Sequence, residues 1–335
     1  MSRTAGAPAG GASVAARGSS VLSGSLAAVV AASMFGMLGP LARFASNAGL
    51  PGIGMTAWRA LLGVAFLAVL IGVRGARGES LAALRALSPR GRAALAVAAL
   101  SGFVLNVSIF TAFGLVPVAL ALMLFYTYPA GVAVVDVLAG HEQLTRWRAA
   151  ALALSMGGVV LVLAGGMGGA DAGAIAPAGI LLGLLASASQ VVFVTVSRHG
   201  YRAVPADTAS LVIMATAVVG AIAVALVSGE GSGLLVPFTT PRVWPLILLA
   251  GVAAAGISSL LFLLAIRQIG GTRTGILMLF EPVVGVLLAA VLLGESLTPA
   301  QAVGAALVLL GALVLQRRSE PELDPLVETA AGPIV

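Results

Sequence analysis

The chain has 335 residues, of which 60% are hydrophobic and only 9% charged, with a mean hydropathy of +1.11 and a formal net charge of +6. A soluble domain carries about 25% charged residues, so this composition excludes a water-soluble globular protein. The absence of Cys excludes disulfides and thiolate metal sites, and two His far apart in sequence make no metal-ligand cluster.

Residues 1–20 form a Gly/Ala/Ser-rich tail, expected to be disordered because it cannot bury enough apolar surface to order itself. Apolar windows of about 20 residues then match the thickness of a bilayer's hydrocarbon core. Ten occur, at roughly 21–43, 55–73, 93–113, 118–138, 147–165, 178–197, 208–228, 244–266, 273–293 and 300–316. Short connections separate them, several marked by turn residues such as Gly49-Leu50-Pro51-Gly52. Residues 317–335 make a second, acidic tail. The first window is too long for a signal-peptide core and is expected to be retained.

All 18 basic residues are Arg, and their placement sets the orientation. With the N-terminus in the cytoplasm, 15 fall inside, among them Arg74, Arg77, Arg85, Arg90, Arg92, Arg146, Arg148, Arg198, Arg202, Arg267 and Arg273. Only Arg43, Arg59 and Arg242 fall outside. Cytoplasmic loops of membrane proteins carry the excess of basic residues, so both termini are expected in the cytoplasm. That topology accounts for the arginines without nucleic acid as a partner. The all-Arg usage, with abundant Ala and Gly, points to a GC-rich bacterium, and hence to a bacterial plasma (inner) membrane.

The segment from Phe125 returns, without a gap, from Met278. Pro129 falls on Pro282, Glu142 on Glu295, Leu144 on Leu297, Thr145 on Thr298 and Gly158 on Gly311. The chain therefore contains two halves of one design, as many secondary transporters do. Five spans per half is an odd number, so the second half inserts upside down. The motif agrees: Arg146 and Arg148 follow the first copy, whereas Pro299 and Gln301 follow the second. The expected fold is an all-α integral membrane protein of ten helices in two inverted five-helix repeats, 21–165 and 178–316.

Thr298, Pro299 and Gln301 read as a capped helix start, and Thr145 can cap its own helix in the same way. Glu142 and Glu295 then lie at helix ends near the membrane surface, as structural residues orienting the turn. Pro129 and Pro282 fall in mid-span and each leaves a carbonyl four residues back without its donor. Pro40 interrupts the first span similarly. Such breaks either line a cavity or set a packing kink.

Glu281 is the most informative residue, a carboxylate near the bilayer midplane. A charge there costs about 3 kcal/mol on insertion scales, so such residues face a pathway or a partner. A protonated Glu281 buried against another helix is the competing reading. Its repeat mate is Tyr128. Asp136, nearer a helix end, is expected to reach water or Arg146. Arg59 either extends to the headgroups or turns inward to an anionic substrate group or Glu281. Asn106, Tyr126, Tyr128 and Gln190 are the other polar groups deep enough to line a modest central cavity.

Ten spans, two inverted halves, the sequence Pro-x12-Glu-x-Leu-Thr in each half and a Gly-rich last span resemble the EamA-type branch of the drug/metabolite transporter superfamily. The run Glu281-Pro282 through Leu293-Gly294-Glu295, with Gly304 to Gly311, carries the resemblance best. Ala139-Gly140-His141-Glu142 follows the pattern loosely, and Tyr128 departs from it. The resemblance covers about 21–316 and implies a plasma-membrane carrier, often exporting amino acids or other small metabolites. The leading expectation is thus a secondary transporter, not an enzyme, exporting small metabolites by alternating access. Its partners are the lipid bilayer and a small-molecule substrate, with protons as a candidate coupling ion, no cofactor, and room for a homodimer. No P-loop is present, so ATP does not drive transport from this chain. The alternatives are a nucleotide-sugar-like or other organic-anion carrier, for which only Arg59 is available as an inward cation, and a non-transporting membrane scaffold.

Overall fold

A computed structural model describes residues 10–113, 115–116, 118–165, 176–294 and 296–317, and every regular element among them is a helix. Nine segments of the described chain are long and apolar enough to cross a bilayer, and Pro299–Leu315 is a tenth, shorter apolar helix. Span 1 comprises Gly10–Gly36 and Leu38–Asn47, span 2 Gly52–Val73, span 3 Pro89–Phe113, and span 4 Val118–Phe125 with Tyr128–Leu138. Span 5 is Arg146–Gly165, span 6 Pro177–His199 and span 7 Ala206–Val227. Span 8 runs from Trp244 to Ile269, span 9 comprises Gly271–Met278 with Glu281–Leu293, and span 10 is Pro299–Arg317.

Two elements differ from expectation. Span 1 starts at Gly10, inside the tail expected to stay unordered, because Ala12, Ala15 and Ala16 extend a helix already nucleated downstream. The second connection, expected as a loop, holds a short helix, Arg77–Ala86, docked through a 2.8 Å hydrogen bond from Thr208 Oγ1 to Ser80 Oγ.

The inversion is visible in how equivalent spans meet. A Cβ on Gly158 of span 5 would lie 2.5 Å from the Gly304 carbonyl oxygen of span 10. One on Gly311 would lie 2.8 Å from the Ala151 carbonyl oxygen. Gly158 and Gly311 are repeat mates, as are Ala151 and Gly304, so this is one contact made twice, as a two-fold relation demands. Numbering rises along span 5 as it falls along span 10, so the two are antiparallel. Small residues let the backbones approach this closely, which in lipid supplies much of the attraction between helices.

Span 4 meets span 9 in the same antiparallel sense, with Pro129 against Gly275 and Val132 against Gly271. The remaining pairs come in matched sets. Span 3 and the turn after it pack on span 6 and its end (Val116 on Gly179, Ala94 on Gly200), and span 8 packs on span 1 (Ile269 on Gly24, Phe262 on Phe35). The largest core cluster gathers Ala31, Tyr126, Val132, Val159, Val194, Phe262, Met278, Val283 and Val308 from seven spans at the centre. One end of the bundle carries Arg74, Arg148, Arg198 and Arg267; it is called the arginine-rich end below.

Spans 4 and 9 are broken at the same place in the repeat. Span 4 stops at Phe125 and restarts at Tyr128; span 9 stops at Met278 and restarts at Glu281. Pro129 and Pro282 each occupy the first turn of the restarted helix, where a missing N–H costs nothing. The last turns before the breaks tighten: Thr127 N–H donates to Leu124 O at 3.3 Å, and Phe280 N–H to Leu277 O at 3.2 Å. The Thr127 hydroxyl adds a 2.6 Å bond to the Leu124 carbonyl. Span 1 is interrupted at Met37, ahead of Pro40, and this kink seats on the span 9 break. A Cβ on Gly36 would lie 2.7 Å from the Glu281 carbonyl oxygen. Span 8 carries a π-helical turn, Val252–Ile257, which the sequence did not announce.

Candidate functional site

Glu281 is the first residue of the restarted half of span 9, ten residues and so roughly 15 Å along the span from Gly271. Backbone N–H groups at a helix start carry partial positive charge, so the break sets a carboxylate where the helix dipole favours it. Tyr128, its repeat mate, begins the restarted half of span 4. The two prolines thus bring a carboxylate and a phenol to one level deep inside the bundle.

The Tyr126 hydroxyl comes within reach of the Glu281 carboxylate, and Tyr128 lies close enough to share its field. Both tyrosines are buried, with Phe125 between them at ring-centroid distances of 5.1 and 5.3 Å. Arg59, seven residues into span 2, turns inward and lies near enough to Glu281 to act on it through its field, without forming an ion pair with it. Its Nη2 reaches Asn106 Oδ1 at 3.5 Å, a long contact, while Asn106 Nδ2 donates to Gly102 O at 2.7 Å. Of the two destinations open to Arg59, headgroups or interior, the interior is the one observed. Arg59, Asn106 and Glu281 keep intermediate exposure although protein surrounds them, as expected of groups at the wall of a cavity.

Gln190 does not join this group. It lies on span 6 with intermediate exposure and makes no side-chain hydrogen bond among the described residues. One turn earlier, Ser187 bonds Thr127 at the span 4 break, 2.9 Å between hydroxyls. Pro129, Pro282 and Pro40 are all buried, so they shape the site through the backbone rather than by lining it.

A second polar cluster, missed from sequence, lies at the arginine-rich end. Asp136 is 1% exposed; it accepts a hydrogen bond from Thr272 Oγ1 at 3.0 Å and faces Arg198 Nη1 at 3.7 Å. The expectation that Asp136 meets water or Arg146 is therefore corrected: span 6 supplies its cation. Glu142, in the turn between spans 4 and 5, is buried too, paired with Arg198 at 2.5 Å and Arg148 at 3.4 Å. The His141 and His199 rings stand beside it, 5.5 Å apart between centroids, although far apart in sequence. No group of three metal-ligating residues occurs among the described residues. The signal available beforehand was depth: Asp136 and Arg198 both sit one turn from the same end of their spans.

The motif residues play local roles. Thr298 N–H donates to Gln301 Oε1 at 2.9 Å and Gln301 N–H returns to Thr298 Oγ1 at 3.2 Å, a reciprocal cap of span 10. Arg148 N–H donates to Thr145 Oγ1 at 3.3 Å at the start of span 5. Glu295 lies outside the described residues.

The arrangement has no nucleophile–base pair at the central cluster, but it holds one cation and one anion from different halves. A solved structure described as "Crystal structure of protein" superposes at a TM-score of 0.72. It is 22% identical, and the match covers 90% of this chain and 99% of that one, which supports the fold alone. Twenty-four chains of known structure match, and no curated protein does. The profile of the EamA-like transporter family matches residues 22–164 and again 177–317, one match for each five-span half. Matched twice over most of its length, the chain belongs to the EamA-like transporter family.

Proposed function

We propose that this protein is a secondary transporter that carries a small, net-neutral, dipolar metabolite, such as an amino acid, across a bacterial plasma membrane by alternating access. The carrying observation is the convergence of Arg59 from span 2, Asn106 from span 3 and Tyr126 from span 4 on the surroundings of Glu281 at the break of span 9. One cation and one anion match a substrate with a carboxylate and an ammonium group. Discontinuous helices that meet at the midplane of inverted repeats are the usual place for such a site.

The arginine-rich end is the cytoplasmic side on the 15-to-3 distribution of arginines, which puts both termini in the cytoplasm. Export is the direction this reading takes, with protons exchanging at Glu281 as the coupling ion. An organic-anion carrier is less well supported, because the central cluster offers the single cation Arg59 and an opposing carboxylate. The test is flux of radiolabelled amino acids in everted vesicles, with and without a proton gradient. Glu281→Gln should abolish or uncouple transport while leaving the protein inserted. Normal gradient-dependent flux in that variant removes Glu281 from the mechanism.

A further inference from the structure

The connection between spans 2 and 3 holds five of the chain's 18 arginines. Val73 ends span 2, and Gly75, at φ +67°, turns the chain into the short helix Arg77–Ala86, after which Pro89 opens span 3. Arg74, Arg77, Arg85, Arg90 and Arg92 are all exposed, and the single carboxylate among them is Glu79. Arg74 meets Asp207 of span 7 at 3.3 Å. Among the described residues no carboxylate pairs with Arg77, Arg85, Arg90 or Arg92.

The helix is docked by one face only. Ser80 is buried and accepts from Thr208 at 2.8 Å, and Leu84 packs on the cluster of Leu87, Leu95, Tyr201 and Leu263. At 3.6 residues per turn, Arg77, Leu81 and Arg85 recur along one flank of that face, and Glu79 falls on the opposite flank. Leu81, 53% exposed, thus stands between two arginines. This flank faces back along span 2. The Arg77 guanidinium lies against the backbone of Gly72, where an added Cβ would sit 2.8 Å from its Nη2. Gly72 belongs to the last turn of the span, beside Val73, which is 82% exposed. Cations are therefore set where the apolar span ends, with apolar side chains next to them. That is the pattern of a helix lying in the headgroup layer, its apolar groups toward the acyl chains and its cations at the phosphates. Clustered arginines beside a span end attract anionic headgroups above zwitterionic ones, and a guanidinium fork matches phosphate oxygens.

We infer that the helix Arg77–Ala86, with Arg90 and Arg92, is a binding surface for the anionic phospholipid headgroups of the bilayer around the protein. The four arginines meet the phosphodiesters, and Leu81 enters the layer beneath them. A bound headgroup tethers the connection between the two spans that carry Arg59 and Asn106. The surface is independent of what the carrier moves and of the direction in which it moves it. A rival occupant is the acidic segment that follows span 10 at the same end, with Glu320, Glu322, Asp324 and Glu328. That segment answers the charge but not the turn of the flank toward span 2.

The test counts lipids bound to the full chain by native mass spectrometry, titrating phosphatidylglycerol and phosphatidylcholine of matched acyl chains. Phosphatidylglycerol should bind at least about tenfold more tightly, and Arg77→Gln with Arg85→Gln should bring it down to the phosphatidylcholine level. Arg77→Lys with Arg85→Lys keeps the charge and should keep the preference, which separates lost binding from misfolding. Arg242→Gln, at an exposed arginine outside this surface, should change nothing. Because the chain has no Cys, Leu81→Cys and Glu79→Cys can each carry a fluorophore in bilayer discs. The first should be quenched by brominated lipid and the second by aqueous iodide. Equal affinity for the two lipids overturns the inference, as does a preference that survives Arg77→Gln with Arg85→Gln, or iodide quenching at both labelled positions. Displacement of phosphatidylglycerol by inorganic phosphate overturns it in favour of a free-anion site. A tenfold rise in phosphatidylglycerol binding on removing residues 319–335 overturns it in favour of the acidic segment.

Discussion

Spans 4 and 9 are one design written twice. Both break after eight residues, both restart with proline in the first turn, and they lie against each other antiparallel. Their chemistry is not duplicated. Where span 9 has Glu281, span 4 has Tyr128; where span 4 has Asp136, span 9 has Ala289. The frame obeys the two-fold relation and the charges break it. The backbone break recurs in both halves, while single substitutions decide which half carries the charge.

The largest expected effect comes from unbalancing the charges. Arg59→Leu leaves Glu281 facing no cation and should cost about 3 kcal/mol of stability in detergent. Adding Glu281→Gln should recover most of that loss, read as a thermal midpoint in a double-mutant cycle. Additive losses would mean the two residues do not interact. Next comes the frame itself. Gly304→Val and Gly158→Val strike the same seam from opposite repeats and should each cost about 2 kcal/mol by overpacking. Gly157→Val, whose added atoms meet nothing within 4 Å, should be silent in the same melt. Silent substitutions at Gly304 and Gly158 would show that the two backbones are not in contact there.

Smaller effects sharpen the contrast in chemistry. Tyr126→Phe removes the hydroxyl that comes within reach of Glu281 and should weaken transport several-fold. Tyr128→Phe should weaken it less, because Tyr128 makes no hydrogen bond to Glu281. Flux at saturating and limiting substrate separates the two. Least of all, Arg74→Ala should change stability by under about 0.5 kcal/mol. Its side chain is 62% exposed where it meets Asp207, and exposed pairs contribute little.

The frame was legible in the sequence because its signals are local. Apolar windows mark the spans, and a gapless internal match places Pro129 on Pro282 and Thr145 on Thr298. Glu281 announced itself because a carboxylate in mid-span has few innocent explanations. What was not legible depends on which helices touch. The inward turn of Arg59 depends on which face of span 2 the neighbouring spans cover. The choice of Arg198 over Arg146 as the partner of Asp136 needs span 6 beside span 4. His141 and His199 meet for the same reason. The π-turn at Val252–Ile257 left no trace, since Ala and Gly accept either helical winding. The start of span 1 at Gly10 was lost to composition, which weighed the glycines and serines above the alanines.

The account stands on a central site that pairs one fixed positive group with one fixed negative group. The direct measurement is competition in proteoliposomes loaded for counterflow of a neutral amino acid. Unlabelled competitors would share one side chain but carry both charges, the ammonium alone, or the carboxylate alone. The zwitterion should compete at least about tenfold better than either singly charged analogue, each of which leaves Arg59 or Glu281 without a partner. Equal competition by the carboxylate-only analogue, persisting in Glu281→Gln, would contradict it.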